Sequence, residues 1–166
     1  MSFDVVRDFE KAIAKFYGAP HAVAVDSCTY SIELCLRYKD TEKIILPRRT
    51  YLSIAFLAQK IGIALEWKDE NWINYYYLGE TNIIDAAVFW KRDSYISGTL
   101  MCLSFQYQKH LSLGRGGMIL TDNKKLYEKC KSLRNLCFGS GKDRFNHDDI
   151  GWNYSCLLYT SPSPRD

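Results

Sequence analysis

The chain has 166 residues, 47% hydrophobic and 25% charged, which suits one domain with a sizeable buried core and argues against disorder or a fibrous fold. Its formal charge of +3 comes from 22 basic and 19 acidic residues dispersed along the chain, so nothing points to nucleic acid, and no apolar run approaches the ~20 residues that span a bilayer. The six cysteines (Cys28, Cys35, Cys102, Cys130, Cys137, Cys156) form no CxxC pair and no zinc-like spacing with His, and no signal peptide precedes them. Reduced thiols, a cytoplasmic location and no metal site are expected.

In chain order, Val5, Val6, Phe9, Ala12, Ile13 and Phe16 fall on one helical stripe, stopped by Gly18 and Pro20. A short buried strand follows at 21–25, and Ser27-Cys28-Thr29 opens a second helix running through Leu36. Residues 43–46 read as a strand ended by Pro47, 52–61 as a helix and 64–67 as a strand. An irregular aromatic stretch at 72–78 precedes strands at 82–84, 100–105 and 117–121. Asp122 or Asn123 caps a last helix over 124–133, where the trailing Arg134 suits the helix dipole. This alternation predicts an α/β fold, a mostly parallel sheet sandwiched by helices, with ligands at the carboxyl ends of the strands.

Residues 156–166, Cys-Leu-Leu-Tyr-Thr-Ser-Pro-Ser-Pro-Arg-Asp, break the preceding pattern. They match the translation of a transposase-type sequencing adapter, a natural Ser/Pro-rich tail being the other reading. The expectation is an incomplete domain over 1–155, followed by an adapter-derived tail without function.

The most informative stretch is Ser104-Phe-Gln-Tyr-Gln-Lys109-His-Leu-Ser-Leu-Gly114-Arg-Gly-Gly117-Met-Ile-Leu-Thr121. It resembles the Schiff-base segment of the DegT/StrS-type sugar aminotransferases, members of the fold-type-I pyridoxal-phosphate (PLP) group. That pattern is Ser-x-x-x-x-Lys, Leu or Ile two residues on, a Gly-x-Gly-Gly turn and a strand ending in Thr. Ser104, Lys109, Leu111, Gly114, Gly116, Gly117 and Thr121 fill it here. The resemblance implies that Lys109 is catalytic and holds PLP as a Schiff base, with Ser104 beside it. Without it, a lysine in a glycine-rich turn reads as a solvated loop residue.

Four further elements carry the resemblance in order. Ser27-Cys28-Thr29 stands where the family has Ser-Gly-Thr or a Cys variant, implying a phosphate cup at a helix start. By themselves these residues read more readily as an ordinary helix cap. In Pro47-Arg-Arg-Thr50-Tyr51, Tyr51 takes the place of the aromatic residue that stacks on the pyridine. Asp85 in Asp-Ala-Ala takes that of the carboxylate that keeps the ring nitrogen protonated; the bland reading is a strand-end carboxylate. Gly151-Trp-Asn153-Tyr154 resembles the element whose Asn reaches the partner subunit's PLP phosphate, which implies a homodimer. The cofactor-binding set is thus Ser27, Cys28, Thr29, Tyr51, Asp85, Ser104, Lys109 and Asn153.

The implied reaction is transamination of a nucleotide-linked keto sugar with an amino-acid donor such as glutamate. PLP-dependent sugar dehydratases of the same fold carry His in place of the lysine, but the spacing from Ser104 to Gly114 puts Lys109 in register rather than His110. A non-catalytic PLP-fold relative or an inactive fragment is the other alternative. The chain departs from the family in three places: Val88 replaces a cofactor-contacting Gln or His, Arg115 an acidic residue, and 70–84 holds too few residues for the strand, the helix and the further strand that normally lead to the aspartate.

Overall fold

The computed structural model describes residues 4–136 and 151–155; the tail at 156–166, with Cys137 and Cys156, lies outside the described residues. The order is α1 (Asp4–Tyr17), β1 (His21–Val25), α2 (Cys28–Tyr38), β2 (Lys43–Pro47), α3 (Ser53–Ile61), β3 (Ala64–Lys68), β4 (Tyr76–Tyr77), β5 (Ile83–Asp85), β6 (Leu100–Ser104), β7 (Gly117–Thr121) and α4 (Lys124–Leu133). Helix and strand alternate as expected as far as β3, after which β4 to β7 follow with no intervening helix among the described residues. The aromatic stretch contributes β4, a two-residue strand that the sequence pattern leaves irregular.

Five strands form one sheet in the order β1-β7-β6-β5-β4, and β2 and β3 form a second, parallel pair. The expectation of a mostly parallel sheet needs correcting, because in the larger sheet only β5 and β6 pair in parallel, while β1–β7, β7–β6 and β4–β5 are antiparallel. The cause is local. The β6–β7 connection is a glycine turn rather than a crossover helix, and β4 returns directly into β5, with the Leu78 amide bonded to the Ile83 carbonyl. The strands β1, β5 and β6 nonetheless share one direction, so their carboxyl ends meet at one edge.

Both faces of the sheet are covered, which is why its strands read as apolar runs without alternation. Leu100 and Cys102 of β6 point to a core made with α2, α3 and α4, whereas Met101 and Leu103 point to one made with α1. On α1 the buried stripe is Val6, Glu10, Ile13 and Tyr17. It is rotated from the expected one, since Val5 is 65% exposed and Ala12 lies outside. Burying Glu10 is possible because its carboxylate accepts from the Ala24 amide at 2.8 Å and pairs with Arg134, which also donates to the Ala24 carbonyl. These contacts close the outer edge of β1, and Tyr154 continues the closure by accepting from the Asp26 amide.

The turn after β4 plugs the gap between the two sheets. Leu78 is fully buried, and Gly79 (φ 66°) lies so close to Ile45 of β2 that a β-carbon there would stand 3.0 Å from its side chain.

Candidate functional site

Three of the expected elements meet at the shared carboxyl edge of β1, β5 and β6. Ser27 leaves β1 in extended conformation and caps α2, its hydroxyl accepting from the Tyr30 amide at 3.2 Å. Asp85 ends β5, and Ser104 ends β6 directly opposite Gly117, its hydroxyl taking a long 3.4 Å bond from the Gln106 amide. Lys109 sits on the turn after β6, its amide bonded to the Gln106 carbonyl. It lines a small cleft with Ala86, Ala87, Leu103, Ser104 and His110. Lys109 is half-buried, whereas its neighbour His110 is exposed.

The glycine turn locks the lysine to the Ser27-Cys28 turn. Gly114 and Gly116 take φ of 80° and 140°, values that disfavour a side chain. Gly117 passes so close to the start of α2 that a β-carbon would lie 2.2 Å from the Ser27 carbonyl carbon and 2.4 Å from the Cys28 nitrogen. Only glycine lets β7 run beneath that turn.

Asp85 is 7% exposed. Its Oδ1 accepts from the Ala87 amide at 3.0 Å and its Oδ2 from the Tyr76 hydroxyl at 2.8 Å. Burial pushes the carboxyl above its ordinary range, and the Ala87 amide, the Tyr76 hydroxyl and the charge of Lys109 pull it back. Lys109 therefore lies within electrostatic reach of Asp85. It also acts on Cys28, whose thiol is driven well up by burial and donates to the Cys102 carbonyl at 3.5 Å. Cys28, Cys35, Cys102 and Cys130 are free thiols.

The other expected residues stand apart. Thr29 shares a 2.9 Å hydrogen bond with Ser53 of α3. Tyr51 is 78% exposed, so its ring covers nothing within the described residues. Asn153 is exposed and bridges to Asn135, and none of the described hydrogen bonds joins it to the Asp85 cluster. Its segment is anchored by Tyr154, stacked on Tyr30 at 4.0 Å between centroids. Val88 is exposed, and Arg115 pairs with Asp26 at 3.3 Å. The sequence reading did not single out Tyr76 or Thr50, whose hydroxyls stand 2.7 Å apart. The one signal was their place, Thr50 within the Pro-x-x-Thr-Tyr element and Tyr76 on the compact segment.

A family model described as the DegT/DnrJ/EryC1/StrS aminotransferase family matches residues 1–68 and 95–156. The chain belongs to this family. Its members are PLP-dependent enzymes, and the donor set found here fits that cofactor: a helix start crowded against glycine, a buried carboxylate and a half-buried lysine at one strand edge. The matched residues include Lys109 and its glycine turn but not Asp85, whose place at the site rests on the fold. The spore coat polysaccharide biosynthesis protein SpsC of Bacillus subtilis (strain 168) is 27% identical over 173 residues, covering 77% of this chain and 44% of SpsC. The crystal structure of 3-amino-5-hydroxybenzoic acid synthase superimposes with a TM-score of 0.74 at 23% identity, over 91% of this chain and 52% of that one. That of GDP-4-keto-6-deoxymannose-3-dehydratase does so with a TM-score of 0.70 at 14% identity, over 92% and 57%. The last two share the fold, and the chain spans about half the length of the relatives it matches. Among the described residues no helix is long and apolar enough to cross a membrane.

Proposed function

We propose that this chain is the PLP-binding part of an aminotransferase acting on a nucleotide-linked keto sugar, with an amino acid such as glutamate as donor. The observation that carries the reading is the convergence of Lys109 and the buried Asp85 at one strand edge, beside the Ser27-Cys28 turn. Bound PLP would supply an electron sink for the donor's Cα–H bond. Lys109 would bind the cofactor covalently through Nζ and, once displaced by the donor, take the Cα proton as general base and return it as general acid. Asp85 would hold a proton on the ring nitrogen, as a buried carboxylate paired with it can. Ser27, Thr29 and the amides that open α2 would bind the phosphate, α2 having no acidic side chain in its first turn to oppose an anion. Ser104 would border the cofactor beside Lys109, and Tyr51 would close over it once a neighbouring surface covers its exposed ring. Asn153 would serve the partner's site in a homodimer.

The register of Lys109 with Ser104 and Gly114 favours it over His110, which lines the same cleft, and so favours transamination over dehydration. Borohydride reduction of the PLP-loaded full-length protein, followed by peptide mapping, tests the reading. The pyridoxyl label is expected on Lys109; a label on another lysine, or on none, overturns it.

A further inference from the structure

We propose that Tyr76 is a positioning residue for Asp85, polarised by Thr50, and that the compact 70–84 segment thereby supplies a polar contact to the carboxylate. This rests on the reading of Asp85 given above. Tyr76 lies directly opposite Asp85 in the β4–β5 ladder, so the two side chains share one face. The phenol is 4% exposed, and its hydroxyl stands 2.8 Å from Asp85 Oδ2 and 2.7 Å from Thr50 Oγ1.

The direction of these bonds follows from chemistry. An ionised carboxylate only accepts, so the phenol donates to Asp85, and its oxygen is then left to accept from the Thr50 hydroxyl. Each bond strengthens the other in a buried setting. The ring is held from outside as well, edge-on to Trp72 at 5.0 Å, and the Trp72 indole donates to the Arg49 carbonyl at 2.8 Å. The aromatic segment and the 49–50 loop thus clamp the phenol from both sides.

The titratable groups that face Asp85 are Tyr76 of β4, Cys28 of α2, Cys102 of β6 and Lys109 of the following turn. Tyr76→Phe removes one hydroxyl and keeps the ring. Carboxyl protonation is followed by infrared titration of the cofactor-free full-length protein, with Asp85→Asn identifying the band. Tyr76→Phe is expected to move the Asp85 midpoint up by roughly one pH unit or more, the tenfold weakening typical of losing a hydrogen bond to a charged group. Thr50→Val, which leaves the ring untouched, is expected to move it the same way by less. An unchanged midpoint in Tyr76→Phe with a lowered melting temperature would make Tyr76 a packing residue and sink the inference. Should Tyr76→Phe not fold, an unchanged midpoint in Thr50→Val sinks it instead. Because the titration needs no cofactor, it separates this outcome from failure of the Lys109 label, which overturns only the reading of the site.

Discussion

A carboxyl group with 7% exposure has a cost that depends on pH, and at Asp85 the sign can be worked out. In the unfolded chain it ionises near pH ~4. In the fold burial raises that value, so between the two the folded state holds a proton that the unfolded state has released. Stability therefore falls as pH rises through that window, and the full cost is present above the folded value. Asp85→Asn is expected to raise the melting temperature of the cofactor-free protein at neutral pH and to lose this advantage below pH ~4, as calorimetry across pH would show. In the loaded protein the order reverses. Asp85→Ala and Asp85→Asn should both slow the half reaction with the amino donor at least roughly a hundredfold, a loss of ~3 kcal/mol, because shape without charge does not keep the ring protonated. Stopped-flow rates near normal in both variants would return Asp85 to a strand-end carboxylate.

Among the elements, the glycine turn joins the lysine to the helix start, and its glycines differ in what they do. At Gly117 a β-carbon would collide with backbone of the Ser27-Cys28 turn, whereas at Gly114 it would meet open space. Gly117→Ala is expected to destabilise by ~3 kcal/mol or more and to weaken PLP binding, while Gly114→Ala costs ~1 kcal/mol of left-handed backbone strain. Denaturant midpoints compare the two. The strands at 21–25 and 117–121 and the helix at 124–133 were legible in the sequence to the residue, since apolar runs and caps mark them locally. Strand direction was not, because it is decided by which strands neighbour each other, and β7 inserts between β1 and β6. That Ser104, Lys109 and Gly117 belong to one strand-turn-strand unit was legible in the sequence, because the family resemblance covers that whole segment. Tyr76 was not, since its role comes from a cross-strand partner nine residues away on a segment too short to show a period.

At the scale of the whole molecule, a buried pair ties the chain's early and late helices to the same strand. Glu10 of α1 and Arg134 at the end of α4 meet at Ala24 of β1, Arg134 with 12% of its side chain exposed. Arg134→Met leaves the Glu10 carboxylate with the Ala24 amide alone and is expected to cost about 3–5 kcal/mol in urea unfolding. The double variant with Glu10→Met as well should recover a large part of that loss, because no unpaired charge remains. The sequence stripe on α1 missed this, as it counted only apolar positions.

The same pair has a consequence for how the protein behaves at high concentration. An outer strand with free amides and carbonyls is a template on which another molecule can add its own strand, the first step toward fibrils. Here the outward groups of Ala24 are occupied by Glu10 and Arg134, and the outward amide of Asp26 by Tyr154. Loss of Arg134 would thus do more than lower the melting point: it would leave a strand edge sticky while the rest of the sheet is still folded. Light scattering during prolonged incubation well below the melting temperature should rise for Arg134→Met and stay flat for Gly114→Ala, even though both variants are less stable than the parent.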